Sequence, residues 1–452
     1  MESGAKRIFI IKDARDIYMF QELKKKITNK KVKVGIIGLG YVGLPLAVTF
    51  AKKGFKVYGI DIDKDRVNKL NKGESYILDV QASDISIVRK ANTFEVTTDF
   101  SVIKDLEAVI ICVPTPLHKT KEPDVSYIVA AVESIKKYMK HGQIVVLEST
   151  TYPGTTDEVM LPVLESTGLK EGKDFYLAFS PERIDPSNPK YNTENTPKII
   201  GGISEASTEL AKLLYEQVIE TIVPVSSSKV AEMVKLLENT FRIVNIGLVN
   251  EIMLMCDKLG IDVWEVIDAA KTKPYGFMPF YPGPGVGGHC IPVDPIYLSW
   301  KARGHGFEAR FIDLASHVNS QMPHYVVEKV ADGLNAHKKA LNSSHVLLLG
   351  VAYKKDVKDL RESPALEIIE ILKKKKAAIS YYDPHFPYLK MDGIDLKCVP
   401  FNKESFKNAD CVVIVTDHSD IDYDFVVEHS KLVVDTRNIL KGVKAREKIV
   451  RL

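Results

Sequence analysis

The part of the sequence that most constrains the fold is a continuous strand, turn, helix and strand pattern over residues 31–61. An apolar run leads directly into Gly38-Leu-Gly40-Tyr-Val-Gly43, a helical stretch follows over residues 44–53, and a second apolar run ends at Asp61. Glycines at this spacing let the backbone approach a pyrophosphate, and the helix start supplies unpaired N–H groups. Asp61 lies 18 residues beyond Gly43, where a carboxylate binds ribose hydroxyls and favours NAD over NADP. Against the alternative of a nucleotide-free unit with a tight turn, this context predicts a Rossmann domain that binds NAD.

A second informative segment is Gly285-Val-Gly-Gly-His-Cys290-Ile-Pro-Val-Asp294, a glycine-rich turn with a carboxylate four residues after its cysteine. A cysteine presented in such a turn is suited to act as a covalent nucleophile, and Asp294 is suited to steer water or protons. His289 either tunes the pKa of the thiol or packs within the loop. A nicotinamide cofactor combined with a cysteine nucleophile indicates oxidation of an alcohol through an aldehyde to an acid.

Bulk composition is that of a globular protein, with 45% hydrophobic and 27% charged residues and a length that predicts about three domains. The net charge of +3 is too small to indicate a nucleic-acid partner, and no apolar run reaches transmembrane length. The densest basic cluster, residues 373–376, is predicted to be a solvated last turn of a helix rather than a binding patch. The expectation is a soluble protein of a reducing cytoplasm.

The cysteines do not have the pattern of a disulfide framework or of a zinc site, so no metal is predicted. Cysteines in apolar surroundings behave as small hydrophobic side chains. Four are predicted to be buried in this way: Cys112, Cys256, Cys398 and Cys411.

Two helical stretches and a second α/β unit complete the organisation. Residues 1–30 form a lysine-rich extension with an amphipathic helix, which would dock on the body of the protein or on a partner subunit. A long helix is predicted over residues 228–258, where Lys235 and Asn239 share one face. That face is either a solvated edge or the seat of a partly buried cation. Beyond residue 325, alternating strands and helices predict a second α/β domain without a Gly-x-Gly-x-x-Gly turn.

Polar residues follow several predicted strands, where ligands bind in open α/β sheets. The turns at residues 114–116 and 148–154 either face the cofactor or are ordinary loops. The pair Glu182-Arg183 is either a candidate site or a surface ion pair.

The ordered motifs resemble the UDP-glucose/UDP-N-acetyl-sugar 6-dehydrogenase family. The segments that carry this resemblance, with no missing block from residue 31 to about 450, are Gly38-Leu-Gly40-Tyr-Val-Gly43-Leu-Pro, Val113-Pro-Thr115-Pro, Glu148-Ser-Thr150, Ser180-Pro-Glu182-Arg, Lys235-Leu-Leu-Glu-Asn239, Gly287-Gly-His-Cys290-Ile-Pro-Val-Asp294 and Gly350-Val-Ala-Tyr-Lys354-Lys-Asp-Val-Lys-Asp-Leu-Arg361-Glu-Ser-Pro. Members that use UDP-glucose carry a lysine where this chain has Val293. The loop therefore resembles the N-acetylhexosamine branch, most of all UDP-N-acetylglucosamine 6-dehydrogenases, with UDP-N-acetylmannosamine as the second candidate substrate.

The resemblance implies an α/β fold with two Rossmann-like parallel-sheet domains joined by a central helical domain. It places an NAD-binding domain at residues 31–225, a central dimerisation domain with the cysteine loop at 226–324 and a UDP-sugar-binding domain at 325–452. It also implies a two-step oxidation of sugar C6 by NAD through a thiohemiacetal and a thioester, in a homodimer or larger homo-oligomer.

Site residues carried over from the resemblance fall into three groups. The catalytic residues would be Cys290, Lys235, Asn239, Asp294, Glu182 and Thr150. The cofactor contacts would be Gly38, Gly40, Tyr41, Val42, Gly43, Asp61, Arg66, Thr115, Thr150 and Arg361. The substrate contacts would be Glu182, Arg183, Lys235, Asn239, Tyr281, Gly285, Tyr353, Lys354 and Arg437.

Two other classes of protein share parts of this sequence pattern. A reductase or simple 3-hydroxyacid-type dehydrogenase would need neither the cysteine nor the second α/β domain. A non-catalytic regulator that binds NAD or a nucleotide sugar would be expected to lose Cys290 or Lys235, and both residues are present.

Overall fold

A computed structural model describes residues 14–77, 80–118, 120–185, 188, 190–391, 393–443 and 446–452. The chain divides into two compact units, Met1–Glu238 and Asn239–Leu452, which are described separately below. Within the described residues, no helix combines the length and apolar character needed to cross a bilayer.

The first unit is built on an eight-stranded sheet in the order β3-β2-β1-β4-β5-β6-β7-β8. Its strands are β1 (Lys33–Ile37), β2 (Lys56–Ile60), β3 (Phe94–Thr97), β4 (Ala108–Ile111), β5 (Gln143–Leu147), β6 (Phe175–Phe179), β7 (Lys198–Gly202) and β8 (Ile222–Pro224). The first six follow the 3-2-1-4-5-6 order of dinucleotide-binding sheets and are parallel to one another. The pairing of β6 with β7 is antiparallel, which departs from the all-parallel sheet expected from the sequence.

Helices cover both faces of this sheet, as the continuous apolar strands require. They are α1 (Ala14–Thr28), α2 (Gly43–Lys52), α3 (Lys64–Asn71), α4 (Ala82–Lys90), α5 (Ser126–Lys136), α6 (Leu161–Glu165) and α7 (Glu205–Tyr215), with a 3₁₀ segment at Phe100–Asp105 and a π-helical segment at Thr155–Met160. Successive residues of a strand point into different cores: Val34 and Ile36 lie in one hydrophobic cluster and Ile37 in the other. Each face therefore has its own hydrophobic core.

Helix α1 docks on the first unit, as one of the two roles considered for the N-terminal extension predicts. Phe20, Leu23 and Ile27 are buried, and Phe20 packs edge-on against Tyr176 with ring centroids 6.1 Å apart. Ile17, at the start of the predicted apolar stripe, is exposed instead. The part of the extension before Ala14 lies outside the described residues.

The second unit begins with helices. The long helix α8 (Ser228–Leu259) belongs to the first unit up to Glu238 and to the second from Asn239. It is followed by α9 (Val263–Ala270), α10 (Asp294–Arg303) and α11 (Arg310–Ala336).

A five-stranded parallel sheet in the order β10-β9-β13-β14-β15 follows these helices. Its strands are β9 (His345–Leu349), β10 (Ala378–Tyr382), β13 (Cys411–Ile414), β14 (Val433–Asp435) and β15 (Ile449–Arg451), and a separate hairpin consists of β11 (Tyr388–Met391) and β12 (Ile394–Lys397). The accompanying helices are α12 (Pro364–Lys374), α13 (Lys403–Asn408), α14 (Tyr423–His429) and a 3₁₀ turn at Arg446–Lys448. Two α/β sheets with a helical segment between them along the chain confirm the predicted fold class.

Smaller predictions have mixed outcomes. Lysines 373–376 are exposed at the end of α12, as expected. Cys112, Cys256 and Cys411 are buried, but Cys398 is only half-buried because it lies in the coil just after β12, a strand of the separate, largely exposed hairpin.

Candidate active site

The glycine turn after β1 has no room for larger side chains at two of its positions. Gly38 has a φ of +90°, and a Cβ there would lie 2.6 Å from the carbonyl oxygen of Cys112. A Cβ at Gly43 would lie 1.9 Å from the carbonyl oxygen of Gly38. A Cβ at Gly40 would meet no atom within 4 Å. The turn is thus tightly packed against the sheet and open at Gly40, where a ligand can approach the backbone.

Asp61 at the end of β2 is linked to this turn. Its Oδ2 accepts a hydrogen bond from the Leu39 amide over 2.8 Å, and its Oδ1 accepts one from the Asp63 amide over 2.9 Å. The Arg66 guanidinium lies 3.5 Å from the same Oδ2. The carboxylate is therefore buried and fixed beside the start of α2.

These features fit a dinucleotide. The open Gly40 position, the start of a ten-residue helix that no side chain caps and the fixed Asp61 carboxylate are the parts that hold pyrophosphate and ribose in a Rossmann domain. Of the other predicted cofactor residues in this unit, Tyr41 is exposed, Val42 and Thr150 are half-buried, and Thr115 is buried.

The loop that follows β5 and contains Thr150 is held by a buried carboxylate that sequence reasoning missed. Glu232 on α8 accepts hydrogen bonds from the amides of Gly154 and Thr156, over 2.6 and 3.0 Å, and from the Thr156 hydroxyl over 2.7 Å. Burial raises the pKa of Glu232 to about 7 although these hydrogen bonds oppose the rise. Glu232 therefore ties α8 to the segment that carries a predicted catalytic residue.

Glu182 does not pair with the neighbouring Arg183 side chain. Its Oε2 lies 3.5 Å from Lys198 Nζ, and its Oε1 accepts from the amides of Arg183 and Ile184 over 2.6 and 2.8 Å. Arg183 instead forms a bidentate ion pair with Glu238, with Nη2 2.5 Å from Oε1. The alternative of a Glu182–Arg183 surface ion pair is therefore wrong.

Lys198 connects Glu182 to two further buried groups. Its Nζ lies 3.0 Å from Glu148 Oε2, and the Tyr215 hydroxyl donates a hydrogen bond to Glu148 Oε1. Glu148 stood inside a quoted motif without an assigned role, and neither Lys198 nor Tyr215 was recognised from the sequence. The only available signal was a charged residue at the first position of an otherwise apolar strand.

The two carboxyl groups of this cluster have opposite pKa shifts. Burial raises the pKa of Glu148 more than Lys198 lowers it. Burial also acts to raise the pKa of Glu182, yet Lys198 and the two backbone amides outweigh it and hold that pKa below its usual value. The pKa of Lys198 is raised, since its two carboxylate neighbours outweigh burial. Environments that separate the pKa values of neighbouring carboxyls are a common sign of an acid–base site.

Lys235 lies on the same helix as Glu232, and the residue is 8% exposed. Of the two alternatives for this helix face, the burial of Lys235 supports a partly buried cation and not a solvated edge. Its ammonium also contributes to lowering the pKa of Glu182.

In the second unit, the cysteine loop is packed through its glycines. A Cβ at Gly287 would lie 2.8 Å from the carbonyl oxygen of Glu362, and one at Gly288 would lie 2.8 Å from the ring of Tyr353. Gly288 has a φ of +87°, and its amide donates to the carbonyl oxygen of Arg361 over 2.9 Å. Cys290 is exposed on this loop, whereas the other cysteines are buried or half-buried. Burial lowers the pKa of His289, so the ring next to the thiol is held neutral.

Asp294 and Asn239 meet directly beneath this loop. Asn239 Nδ2 donates to Asp294 Oδ2 over 2.5 Å, and both side chains are buried. The Asp294 amide donates to the Cys290 carbonyl oxygen over 2.8 Å. The Asp294–Asn239 pair is thereby fixed at the start of α10, directly after the loop that carries the exposed thiol.

The remaining predicted residues of this unit are distributed around the same loop and the second sheet. Tyr281 stacks on Trp264 with ring centroids 5.9 Å apart, and a Cβ at Gly283 would lie 2.8 Å from Arg437 Nη1. The amide of Tyr353 donates to the carbonyl oxygen of Asp359, whose carboxylate also forms an ion pair with Arg361. Gly285 has a φ of +135°, and Lys354 is half-buried.

The second sheet repeats the turn geometry of the first without its glycine fingerprint. Gly350 has a φ of +83°, and Asp383 Oδ2 accepts from the Val351 amide over 2.7 Å, as Asp61 does from Leu39. His418 also donates to this oxygen, over 3.1 Å. The acid of the second turn is thus fully occupied by protein groups.

Among the described residues, one group of side chains has a metal-like arrangement, formed by Asp356, His385 and His418. Both ring nitrogens of His418 already have hydrogen-bond partners: Nδ1 accepts from the Asp356 amide, and Nε2 bonds to Asp383. The group is therefore explained as a hydrogen-bond network that supports the loop after β9.

The fold and these sites define a dinucleotide-dependent dehydrogenase with a cysteine loop. Residues 32–219 match the NAD binding domain, residues 229–321 the central domain and residues 347–442 the UDP binding domain of the UDP-glucose/GDP-mannose dehydrogenase family. The chain belongs to this family. It is accordingly an NAD-dependent UDP-sugar dehydrogenase.

Individual relatives carry two different substrate names. The chain is 36% identical over 421 residues to UDP-N-acetyl-D-mannosamine dehydrogenase of Methanococcus maripaludis, covering 90% of this chain and 93% of the relative. It is 39% identical over 357 residues to UDP-N-acetyl-D-glucosamine 6-dehydrogenase of Pseudomonas aeruginosa, covering 78% and 83%. A solved structure of UDP-D-ManNAc dehydrogenase from Pyrococcus horikoshii superposes with a TM-score of 0.85 at 34% identity, over 93% of this chain and 98% of that one.

Proposed function

We propose that the protein oxidises C6 of UDP-N-acetylglucosamine to the carboxylate in two steps, with Cys290 as the covalent nucleophile. The observation that carries this proposal is the exposure of Cys290 on a glycine-packed loop whose next helix begins with the buried Asp294–Asn239 pair. NAD, when bound, accepts one hydride in each oxidation step.

Cys290 is proposed to act on the aldehyde formed by the first oxidation. Its thiolate adds to the C6 carbonyl carbon, a carbon–sulfur bond forms, and the oxygen takes up a proton to give a thiohemiacetal. The second oxidation removes a hydride and the hydroxyl proton to give a thioester. Water then adds to the thioester, the carbon–sulfur bond breaks, and the thiolate leaves. A thiolate suits both halves because it is a strong nucleophile and a good leaving group.

The other proposed catalytic residues manage protons and charge. Lys235, as a buried ammonium, would stabilise the oxyanion that develops at C6, with Asn239 as a hydrogen-bond donor. Glu182, whose pKa is held low, is proposed to accept the proton of the C6 hydroxyl, with Thr150 positioning that group. Asp294 is proposed to orient the water that releases the product.

The remaining predicted residues are proposed as ligand contacts. Cofactor contacts would come from the glycine turn, Tyr41, Val42, Asp61, Arg66, Thr115 and Arg361. Substrate contacts would come from Arg183, Tyr281, Gly285, Tyr353, Lys354 and Arg437. Three domains are proposed: an NAD-binding domain at residues 31–225, a central dimerisation domain at 226–324 and a UDP-sugar-binding domain at 325–452. Residues 1–30 are proposed as an N-terminal extension.

We propose a homodimer that forms through the helical segment of the second unit. Phe241, Leu248, Met255 and Leu259 recur at intervals of seven, seven and four residues on α8, so they share one helix face. All four side chains are exposed, as are Phe311 and Leu314 on α11. A second copy of this surface would cover these apolar groups. A cytoplasmic location is proposed with it, since the catalytic thiol must stay reduced.

The substrate is tested by the yield of NADH at completion with a limiting amount of each of three UDP-sugars. About two NADH per UDP-N-acetylglucosamine, with lower kcat/KM for UDP-N-acetylmannosamine and UDP-glucose, is the expected result. Higher kcat/KM for UDP-N-acetylmannosamine, the substrate named for several relatives, would replace the substrate and leave the mechanism intact. No NADH from any of them would contradict the proposal.

A further inference from the structure

The buried cluster around Lys198 lies in the first unit and joins four elements. Glu148 follows β5, Glu182 follows β6, Lys198 opens β7, and Tyr215 closes α7. Three of these residues are almost completely buried, namely Glu148, Lys198 and Tyr215. The side chain of Glu182, in contrast, is 15% exposed. Glu182 is thus the member of the cluster that a ligand can reach.

The charges in this cluster do not balance by themselves. Two carboxylates share one ammonium, with Lys198 Nζ 3.0 Å from Glu148 and 3.5 Å from Glu182. An unpaired charge in such a buried place would be strongly unfavourable. Lys198 is therefore the group on which the charged state of both carboxylates depends.

The hydrogen bonds around Glu182 also select its charged form. Oε1 accepts from two backbone amides and Oε2 faces the ammonium, so both oxygens are held by donors. The surroundings of Glu148 are different, because its carboxyl group is buried and is bound by the Tyr215 hydroxyl and the Lys198 ammonium, with no backbone amide as a partner in the hydrogen bonds described for it. The other titratable groups that act on Glu182 or share its surroundings are Lys235 on α8 and the Cys112 thiol after β4.

We propose that Lys198 is a positioning residue that keeps the Glu182 carboxylate charged and fixed for proton transfer, with Glu148 as the counter-charge on its buried side. This inference rests on the proposed function, because it takes Glu182 as the proton acceptor. Lys198 itself touches neither the substrate nor the cofactor in this role. Its effect is on the pH range in which the enzyme works.

The test is the pH dependence of kcat/KM for NADH formation from UDP-N-acetylglucosamine. Loss of the ammonium in Lys198→Met should move the acid limb upward by about one pH unit or more, which is a tenfold change in the protonation equilibrium. Lys198→Arg keeps the charge and should return the limb towards its original position. A folded Lys198→Met protein with an unmoved acid limb would overturn the proposal, as would a loss of activity that is equal at every pH.

Two further variants separate this role from damage to the fold. Lys198→Met alone leaves two buried carboxylates without their cation. It is therefore compared with the double variant Lys198→Met/Glu148→Gln, in which one positive and one negative charge are removed together. The double variant should still show an upward displacement, no larger than that of Lys198→Met, whereas Glu148→Gln alone should leave the limb at or below its original position. The matched control is Lys212→Met on α7, where an exposed lysine pairs with Glu216 over 3.5 Å.

A second readout does not need activity. Lys198→Met and Glu182→Gln are combined, and the unfolding transition that both single variants shift is followed in urea. Each single variant should raise the unfolding equilibrium constant by a certain factor. If Lys198 and Glu182 are coupled, the factor for the double variant should be at least about tenfold smaller than the product of the two single factors. Additive effects would overturn the proposal. If no UDP-sugar yields NADH, the proposed function fails on its own, and this cycle still decides whether Lys198 holds Glu182.

Discussion

Asn239 and Asp294 form a buried hydrogen bond of 2.5 Å between Nδ2 and Oδ2, which fixes a carboxylate at the first residue of α10. Asp294 is in turn tied to the cysteine loop, since its amide donates to the Cys290 carbonyl oxygen. The thiol loop and the proposed water-orienting carboxylate are therefore positioned by one residue of α8.

Asn239→Asp tests this link with a minimal change in shape. Two carboxylates at this distance cannot both ionise, so we expect kcat for NADH formation to fall by about a hundredfold or more at neutral pH. Steady-state kinetics measure the effect, with Asn408→Asp at the exposed end of α13 as the control. A kcat within about threefold of the unmodified enzyme, in a folded variant, would show that the pair does not serve the reaction.

Asp61→Asn should weaken cofactor binding. The amide has one acceptor oxygen where the carboxylate has two, and both carboxylate oxygens already accept backbone N–H groups. We expect the Kd for NADH to rise by about tenfold and the preference over NADPH to narrow. Fluorescence titration of both cofactors provides the measurement, with the exposed Asp65→Asn as the matched variant. Unchanged affinity for NADH would remove Asp61 from the cofactor site.

Glu232→Gln should destabilise the first unit in a pH-dependent way. The Gln side chain would point its NH2 group at one of the backbone amides that now donate to Glu232. The lost hydrogen bond should lower the free energy of unfolding by about 1–3 kcal/mol. Burial raises the pKa of Glu232 from 4.5 to about 7, so the folded protein binds the proton more tightly than the unfolded chain does. The stabilisation that results from protonating Glu232 is fully present below pH 4.5 and is lost as the pH rises through about 7.

Thermal unfolding of both proteins at pH values from 5 to 8 checks this sign. The difference in midpoint between Glu232→Gln and the unmodified protein should be largest near pH 5 and shrink as the pH rises. Glu216→Gln, on the surface of the same unit, should give a small difference at every pH. A deficit that grows with pH would mean that Glu232 is bound as a carboxylate throughout.

Gly288→Ala should disable the cysteine loop while the cofactor still binds. The added methyl group would lie 2.8 Å from the Tyr353 ring, at a φ of +87° that alanine rarely adopts. We expect kcat/KM to fall by more than about tenfold with the Kd for NADH unchanged. Gly304→Ala is the control, because its backbone has a φ of −60° and its nearest neighbour is 3.4 Å away. Full activity in Gly288→Ala would contradict the packing described for this loop.

Local patterns in the sequence were sufficient for much of the fold. The strand ending before Gly38, the helix after Gly43 and the acid at Asp61 each follow from periodicity and glycine spacing, and the structure confirms them. The same holds for the long helix α8 and for the alternation of strands and helices in the second α/β unit, although β15 was not predicted. These elements are determined by residues that are close together in the chain.

Contacts between distant residues were the part that sequence reasoning missed. Lys198 reaches Glu148 across 50 residues, and no spacing rule connects a lysine at the start of one strand to a carboxylate after another. Glu232 binds the loop at residues 154–156 in the same non-local way. The reversal of β7 also depends on pairing with β6 at two register positions, for which the chain offers no local signal. Buried charges of this kind become visible only when the sheet order is known.

The most direct test of the central claim is the number of NADH formed per limiting UDP-N-acetylglucosamine in the unmodified enzyme and in Cys290→Ser. Cys398→Ser, at a half-buried cysteine that follows the hairpin strand β12, is the matched control. We predict about two NADH for the unmodified enzyme and the control, and one or fewer for Cys290→Ser, since the aldehyde can no longer be captured as a thiohemiacetal. Two NADH from Cys290→Ser would contradict covalent catalysis by this thiol.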